Sequence, residues 1–364
     1  MRRTPALIIG GGPAGAAAAI TLAHAGTAHV LLERSRETVD TLCGGFLSWQ
    51  TLGTLARLGI PADSLNVRRI HQARVFAGAR MAVADLPRPA LAVSRLRLDR
   101  LLLAAAADAG SPVERGVTVS AIAEHVRLAD GTELSCDALL LASGKHDVRG
   151  LARPASARGN DPALGLRLRL DASPALTRLI GDTIELHLFS HGYAGLVLQE
   201  DGSANLCLAV RRSRLRAAGS PAALLAQLAL ASAPLAERLG HAIDPAAAKI
   251  EAIANVPYGW RIKHGLPGLF RLGDQAGVIP SLAGEGIGIA LASGMSAALA
   301  LEAGGASAST TWQASFARRL ARPIGVAATI RALAERPVTA GVMTGAIDLV
   351  PAVLGLAARL TRIA

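Results

Sequence analysis

The sequence predicts an α/β protein: a mostly parallel sheet covered by helices, interrupted by an antiparallel sheet and followed by a helical C-terminal segment. Three observations support this fold class. An apolar run enters a glycine-rich turn over Leu7–Gly15, a second apolar run ends at Glu33, and a third, Leu269–Asp274, follows far later in the chain. Between the second and third runs lie short segments of alternating hydrophobicity, which are typical of antiparallel strands.

The glycine-rich turn has the spacing GxGxxG, which predicts a site for a dinucleotide. Gly10 permits the tight turn from strand to helix, Gly12 lets backbone approach a pyrophosphate, and Gly15 allows the helix to pack closely on the strand. Pro13 and Ala14 open that helix, and Pro13 suits a first helical position because its missing N–H is not needed there. The positive end of the helix dipole then faces the anion.

The strand after this helix, His29–Leu32, ends at an acid. The carboxylate of Glu33 can accept hydrogen bonds from an adenosine ribose, and it would repel a 2′-phosphate, so we expect no NADP in this site. Arg34 follows directly and is assigned to the same cofactor site. The alternative is a glycine-rich turn in another kind of α/β protein, although strand, helix, second strand and acid all stand in register here.

A second signature surrounds the late strand and indicates a flavin. Gly273 and Asp274 end that strand, and a glycine-opened helix starts near Glu285. Asp274 can accept a hydroxyl of a ribityl chain, and a helix N-terminus stabilises the negative charge of a reduced flavin. Gly284, Gly286 and Ile287 at that helix start are therefore assigned to the cofactor. Alternatively, Asp274 is a helix-capping acid and Glu285 a first-turn acid favoured by the dipole.

Composition excludes several functional classes. Half of the residues are hydrophobic (51%), so the chain is not disordered, and its net charge of +11 comes from arginines that are scattered among few aromatic residues. We therefore expect no nucleic-acid partner, but a basic surface that attracts FAD, a nicotinamide dinucleotide or an anionic membrane face. The three cysteines have no metal-ligand spacing, which predicts no metal site and a reducing, cytoplasmic location. Oligomeric state is left open.

The predicted organisation has three parts. Residues 1–150 and 261–307 form a discontinuous Rossmann-like FAD-binding domain of the GR2 type, residues 151–260 an inserted antiparallel-sheet substrate domain, and residues 308–364 C-terminal helices. The apolar N-terminus imitates a twin-arginine signal or a membrane span, but its glycine turn favours a buried strand and helix. Near the C-terminus, residues 337–358 carry Asp348 as their sole charge. We expect this segment to pack over the substrate cavity, with peripheral contact at the inner membrane face as the alternative.

The sequence resembles a known superfamily at five places: Gly10–Gly15 with Glu33, Cys43-Gly44-Gly45, Arg95 with Leu98-Asp99, Pro257-Tyr258-Gly259, and Gly273–Gly294. These segments are similar to the FAD-dependent monooxygenases with the p-hydroxybenzoate hydroxylase fold, and most similar to the geranylgeranyl reductase-like branch. The resemblance implies one non-covalent FAD, NAD(P)H as electron donor without a Rossmann domain of its own, and a cavity between the flavin and the inserted sheet.

The resemblance also suggests catalytic residues. It places Cys43 and Gly44 in a loop near the flavin ring, where the Cys43 thiol either shapes the cavity or donates a proton; an inert buried cysteine is the alternative. It places Arg95 at the start of a helix lying against the cofactor. The chain departs from the branch at Ser143–Arg149, which lacks the acid of an Asp-Gly-Ser-Arg pattern. Within it, Lys145 and Arg149 can attract a donor phosphate, and His146 is either a proton relay or a solvated loop residue.

The inserted sheet supplies the remaining candidates. Six leucines are predicted to form one apolar face of its strands, suited to a greasy substrate or to an ordinary core: Leu186, Leu188, Leu196, Leu198, Leu206 and Leu208. His187, His191 and Tyr193 are candidate acids, bases or hydrogen-bond donors.

The predicted function is NAD(P)H-driven hydroxylation of a hydrophobic aromatic or polyketide-like molecule, free or delivered by a carrier protein or membrane. The alternatives are a flavin-dependent ene-reductase of isoprenoid or lipid-like substrates, a flavin-binding protein with little turnover, and a dehydrogenase that uses the first site for NAD.

Overall fold

The computed structural model describes residues 2–241 and 249–363, which fold into two sheets with helices packed on them. The strands are β1 (Arg2–Ile9), β2 (His29–Glu33), β3 (Phe46–Leu47), β4 (Ile70–Ala77), β5 (Arg80–Ala92), β6 (Val113–Arg115), β7 (Val119–Ile122), β8 (Val126–Leu128), β9 (Glu133–Leu141), β10 (Ala163–Leu170), β11 (Thr183–Phe189), β12 (Gly192–Leu198), β13 (Ala204–Arg211), β14 (Glu251–Val256) and β15 (Leu269–Arg271). The helices are α1 (Pro13–His24), α2 (Trp49–Arg57), α3 (Ala62–Leu65), α4 (Arg95–Asp108), α5 (Pro174–Ile180), α6 (Arg212–Ala218), α7 (Pro221–Ala231), α8 (Ala233–Leu239), α9 (Gly286–Gly304), α10 (Ser309–Ala334), α11 (Pro337–Leu349) and α12 (Ala352–Leu360).

The first sheet is mostly parallel and carries the glycine-rich turn. Its order is β6-β2-β1-β9, and β9 continues to β8 and β7 on its far side while its end also pairs with β15. The strands β1, β2, β9 and β15 run parallel, so their carboxyl ends share one edge. Ligands of open α/β sheets bind at this edge.

Helices α1 and α9 cross with their backbones in close contact on one face of this sheet. A Cβ on Gly294 would lie 2.1 Å from the carbonyl oxygen of Ala14, and a Cβ on Gly15 would lie 1.9 Å from that of Gly10. Only glycine fits at either position, because a backbone atom cannot move aside as the end of a flexible side chain can. The two glycines therefore fix how α1 lies against β1 and α9.

The second sheet has the order β14-β10-β13-β12-β11-β4-β5-β3 and is antiparallel except where β11 pairs with β4. Its strands β3, β4 and β5 come from the chain before residue 150, so this sheet is not confined to residues 151–260. One face packs on α5, α7 and α8, and the other faces α11 and α12.

The six leucines of this sheet do not share one face, and the prediction that they do was wrong. Leu186 pairs with Gly195 and Leu188 with Tyr193, so the even positions of β11 lie beside the odd positions of β12. Leu186 and Leu188 consequently face α11. The other four pack with α5, α7 and α8 in an ordinary core: Leu196, Leu198, Leu206 and Leu208.

The helical elements agree with their sequence signals where capping is strong. Ser94 caps α4 by accepting a hydrogen bond from the Arg97 N–H at 3.1 Å. The segment 221–239 is divided into α7 and α8, because Ser232 leaves the helical conformation and caps α8. The continuous helical run Gly286–Ala334 is long and apolar enough to cross a membrane, but half of its most apolar window is buried inside the protein.

Candidate active site

The glycine-rich turn presents unpaired backbone donors at the sheet edge. Gly10 has φ +103°, and a Cβ there would lie 2.5 Å from the carbonyl oxygen of Ala142. Gly12 is the N-cap of α1, which has Pro13 at its first position and no side chain capping its first-turn N–H groups. Those groups and the helix dipole are free to bind an anion.

Glu33 stands beside this turn, as the ribose interpretation requires. Its carboxylate accepts hydrogen bonds from the Gly11 N–H (2.7 Å) and the Ser35 N–H (2.8 Å). Each oxygen accepts one of these bonds and keeps a lone pair for a further donor. Arg34 points to a different neighbour: its Nη2 lies 3.1 Å from Nε2 of His146.

Arg95 at the start of α4 brings a fixed cation to the turn. It forms a bidentate pair with Asp99 one helical turn later, at 2.9 and 2.7 Å, and its Nη2 would lie 3.5 Å from a Cβ placed on Gly12. Burial disfavours the charged guanidinium, but the attraction of Asp99 outweighs it and raises the pKa of Arg95. The guanidinium therefore remains charged beside the place where a diphosphate would lie.

The end of β15 and the N-terminus of α9 line the same cavity as the glycine-rich turn. The N–H of Gly273 donates to Ser293 of α9 (2.8 Å), which holds the end of β15 against that helix. Asp274 follows, with an Oδ2 3.2 Å from Nζ of Lys145. The attraction of Asp274 raises the pKa of Lys145, and burial opposes this shift. Asp274 and Lys145 thus form an ion pair on the cavity wall.

One cavity of about 530 Å³ connects these elements to the second sheet. Its near end is formed by the α1 turn, Arg95 and the start of α9: Gly12, Pro13, Ala14, Gly273, Asp274, Gly284, Gly286 and Ile287. Its walls are the face of the second sheet that carries Leu186, Leu188 and Val197. Helices α10, α11 and α12 cover its far end. The volume is within the range of small-molecule sites.

Three hydroxyl groups meet inside the cavity. Ser281 lies within hydrogen-bond distance of both Tyr193 and Tyr258, the latter at 2.6 Å, and these are the two tyrosines of the chain. The guanidinium of Arg331 lies over the Tyr258 ring, 4.7 Å from its centroid. Burial raises the pKa of Tyr258 and raises that of Tyr193 well above its ordinary value. Both phenols therefore carry their protons at neutral pH.

The Cys43 loop lies against the second sheet and lines the same cavity. The Gly45 N–H donates to the Cys43 sulfur (3.4 Å), and Asn205 and Cys207 of β13 both donate to the Cys43 carbonyl, at 2.9 and 3.2 Å. These bonds tie the loop to the second sheet. Burial raises the pKa of Cys207 to about 12, so that thiol is protonated. A Cβ on Gly44 would meet no atom within 4 Å, and Gly44 lines the cavity, so the space beside this glycine is open to a ligand.

These residues fit FAD in both shape and charge. Gly286 at the start of α9, like Gly44, has room for a Cβ within the protein yet lines the cavity, as expected where backbone must approach a ring system. The cavity also receives two helix N-termini and the cation of Arg95. Among residues 2–241 and 249–363, no group of three His, Cys, Asp or Glu side chains could hold a metal ion.

Comparison with known proteins identifies the class. Residues 3–138 match the FAD binding domain family. The chain is an FAD-dependent oxidoreductase. It is 27% identical to a menaquinone reductase of Mycolicibacterium smegmatis over 356 residues, covering 92% of this chain and 85% of that protein. A menaquinone reductase of Mycobacterium tuberculosis is 31% identical over 161 residues, covering 40% of this chain and 38% of that protein.

Solved structures confirm the fold of this oxidoreductase. A PqsL variant of P. aeruginosa has a TM-score of 0.76 at 17% identity, covering 95% of this chain and all of that one. A geranylgeranyl bacteriochlorophyll reductase-like protein of Thermoplasma acidophilum has a TM-score of 0.66 at 19% identity, covering all of this chain and 94% of that one. The predicted fold, with a parallel dinucleotide-binding sheet joined to a second, mostly antiparallel sheet, is thereby confirmed.

Three histidines proposed from the sequence lie away from the cavity of the oxidoreductase. His146 is exposed beside Arg34, on the ribose side of the dinucleotide turn; burial, together with neighbouring cations, lowers its pKa. His191 is exposed at the turn between β11 and β12, with φ +64°. His187 is buried on the far face of the sheet, stacked on Phe76 with ring centroids 4.5 Å apart. Tyr193 alone among these hairpin candidates lines the cavity.

Sequence reasoning missed an anchor of the C-terminus. Glu285 is buried, and its Oε2 accepts from Nη1 of Arg362 (2.5 Å) and from Ser48 (3.1 Å). Arg362 also stacks over Trp49 at 5.4 Å. Glu285 therefore ties the chain end to the start of α9 instead of acting as a plain first-turn acid. A buried acid and a late arginine carry no local pattern that would pair them.

Proposed function

We propose that this oxidoreductase reduces a carbon–carbon double bond of an apolar, isoprenoid-type lipid, with NAD(P)H as the source of electrons. The observation that carries the proposal is the single cavity, which joins the dinucleotide turn to a long apolar space and has hydroxyl groups on its wall. The similarity to a menaquinone reductase over 92% of the chain supports a reductive reaction on a prenylated molecule.

The walls of the cavity suit a prenyl chain. Leu186, Leu188 and Val197 line it from the second sheet, and aliphatic side chains of α10, α11 and α12 line it from the other side: Ala327, Ile330, Leu333, Met343, Ile347, Val353, Leu354, Ala357 and Ala358. Each methylene that leaves water for such walls contributes about 0.8 kcal/mol. An apolar chain therefore binds here without a polar partner along its length, and a charged substrate would not.

Saturating a double bond requires a hydride on one carbon and a proton on its neighbour. FAD, when bound and reduced, supplies the hydride with its electron pair. The chain must supply the proton, and Tyr193 and Tyr258 hold protons on the cavity wall at neutral pH. When one phenol donates its proton to carbon, Arg331 over the Tyr258 ring stabilises the phenolate. Ser281 bridges both phenols and can return a proton from solvent, since it is exposed.

Cations near the flavin end suit a nicotinamide donor. Lys145 lines the cavity beside Asp274, and Arg149 is exposed in the same loop. Their charges would attract the phosphates of NADH or NADPH to the flavin side of the cavity. This assignment does not distinguish the two donors.

Hydroxylation is the second candidate, and one observation favours it. Helices α11 and α12 line the cavity with aliphatic side chains, and an apolar lining would protect an oxygenated intermediate from water. The substrate would again be hydrophobic, as the sequence first suggested, and delivery by a membrane or a carrier protein would serve either reaction.

Turnover with and without oxygen distinguishes the two reactions. FAD-loaded protein is incubated with a prenylated naphthoquinone and either NADH or NADPH, aerobically and anaerobically, and products are analysed by mass spectrometry. After re-oxidation of any quinol to the quinone, reduction of the double bond predicts a product that keeps two additional hydrogen atoms on carbon under both conditions, at least one of them deuterium when the reaction is run in D₂O. A product that gains one oxygen atom, formed only when oxygen is consumed, would overturn the proposal in favour of hydroxylation.

A further inference from the structure

The last two helices carry an unusual row of exposed apolar side chains. Val338, Val342 and Leu349 lie on one face of α11, and Val338 and Leu349 are 80% and 84% exposed. The row continues at the bend and along α12 with Val350, Val353 and Leu356. A contiguous apolar surface of this kind marks a site of interaction with a protein or a membrane.

The inner side of the same helices lines the cavity. Met343 and Ile347 of α11 and Leu354 of α12 face inward. Leu333 and Val353 both line the cavity and are exposed to solvent, by 40% and 42%. These two residues therefore mark a mouth of the cavity, and that mouth opens within the apolar row.

The exposed charges of α10, α11 and α12 are mostly positive. Between Ser309 and Leu360 the exposed charged residues are five arginines and one acid, Asp348: the arginines are Arg318, Arg319, Arg322, Arg336 and Arg359. The remaining two, Arg331 and Glu335, are buried and paired with each other at 2.5 Å. Three of the exposed cations stand at the row itself: Arg336 directly precedes α11, Arg359 lies near the end of α12, and Arg80 of β5 donates to the Gly341 carbonyl of α11 at 3.3 Å. Apolar side chains beside such cations complement a bilayer of anionic phospholipids, where each basic residue near the surface contributes roughly 1 kcal/mol.

We propose that α11 and α12 lie in the interface of an anionic phospholipid membrane and that an apolar substrate enters the cavity there, between Leu333 and Val353. The chain axis turns by 114° between the two helices, so the pair suits a position in the membrane plane and not a crossing of it. The entry route rests on the proposed lipid substrate, whereas the docking surface does not.

Vesicle binding tests the surface without relying on catalysis. FAD-loaded protein is sedimented with vesicles of phosphatidylglycerol and, in parallel, of phosphatidylcholine. Wild type is expected to bind phosphatidylglycerol vesicles, and binding should weaken as salt is raised. The double variant V338Q/L349Q should lower the partition coefficient at least about tenfold, because two apolar side chains no longer insert. The matched control is L230Q, since Leu230 is 90% exposed on α7, away from the mouth.

Three outcomes would overturn the proposed membrane surface. Equal binding by V338Q/L349Q and L230Q would show that the row does not touch lipid, and equal binding to both vesicle types would remove the role of the arginines. A dimer in solution that V338Q/L349Q converts to monomer, with no vesicle binding by wild type, would assign the row to a second copy of the chain. Unchanged flavin absorbance in both variants controls for folding. Vesicle binding without turnover would reject the proposed reaction while keeping the docking surface.

Discussion

The two ends of the cavity are built on different physical principles. At the dinucleotide end, backbones meet: Gly10, Gly15 and Gly294 each approach a carbonyl oxygen at a distance that no side chain permits. At the substrate end, side chains from distant segments meet instead, such as Tyr193 from β12 with Ser281 and Tyr258. The first arrangement tolerates no side chain at these glycines, whereas the second can be changed one side chain at a time.

This difference explains why the cofactor is the better determined part of the function. Diphosphate recognition uses main-chain N–H groups, so it depends on the spacing of glycines along the chain and leaves a readable pattern. Substrate recognition uses side chains that converge only after folding, and no spacing links them in advance. Substitutions at the dinucleotide end should therefore lower FAD binding, whereas substitutions at the substrate end should lower turnover.

The largest effect is expected from G15A at the dinucleotide end. A Cβ at this position would lie 1.9 Å from the carbonyl oxygen of Gly10, so α1 must move away from β1 or the turn must open. We expect loss of bound FAD, measured as loss of flavin absorbance in the purified protein, together with a lower melting temperature.

The matched control for this variant is G53A in the middle of α2. Gly53 has no atom within 4 Å of a Cβ position, and alanine is favoured over glycine in a helix interior by roughly 1 kcal/mol. FAD content should be unchanged and stability equal or higher. Retention of FAD by G15A would mean that backbone contact at this turn does not determine cofactor binding.

The same contrast decides how far the sequence could predict the structure. The turn at Gly10–Gly15, the acid Glu33 at the end of β2 and the helix that begins beside Glu285 follow from local patterns, and the structure has them at those positions. The course of the second sheet did not follow, because β3, β4 and β5 join it through long-range pairing. The wrong face assigned to four leucines has the same origin, since register between strands is a tertiary property.

The candidate site divides likewise. Arg95, Gly273 and Asp274 were found from motifs and do line the cavity. Ser281 lies within the Gly273–Gly294 segment but was given no role, and Arg331 stands in no motif. One signal was available: the chain has two tyrosines, and both belong to the same hydroxyl cluster. A rare polar aromatic residue in an otherwise aliphatic chain is a useful candidate for a site, since buried tyrosines usually bind a partner through the hydroxyl.

An intermediate effect, on stability, is expected from E285Q. This variant tests the ion pair between Glu285 and Arg362, which holds the C-terminal segment after α12 against the start of α9. Glu285 is 1% exposed and pairs with Arg362, so a neutral amide would leave the guanidinium buried without its counter-charge. Removing one partner of a buried ion pair costs about 3–5 kcal/mol. The urea midpoint of unfolding should fall accordingly, measured by circular dichroism on FAD-loaded protein.

The control is E302Q, which neutralises an exposed acid on the same helix and should change stability by less than about 0.5 kcal/mol. The double variant E285Q/R362M removes both charges and should recover part of the loss. If E285Q and E302Q unfold at the same urea concentration, the C-terminus is not held by this pair, and the cover must depend on its apolar contacts alone.

The smallest structural effect is expected from Y193F and Y258F. These variants should change kcat at the substrate end of the cavity while leaving the dinucleotide end intact. Each removes one hydroxyl from the cluster at Ser281 and keeps the ring, so FAD content and folding should be unchanged. If a phenol delivers the proton, the more affected variant should lose roughly 10²-fold in kcat with little change in KM. Because burial raises both pKa values, wild-type activity should be flat through neutral pH and fall only above about pH 10, as the phenols ionise.

The comparison that decides between proton donors is with C43S, since Cys43 lines the same cavity. Serine keeps the size and the hydrogen bond from Gly45 but is a much weaker acid than a thiol. Under the proposed mechanism C43S should change kcat by less than about threefold and leave the alkaline limb of the pH profile in place. A large loss in C43S with nearly normal turnover in Y193F and Y258F would transfer proton donation to Cys43. The hydroxyl cluster of Ser281, Tyr193 and Tyr258 would then only position the substrate. The proton donor would be Cys43, which the Cys43-Gly44-Gly45 segment had already indicated.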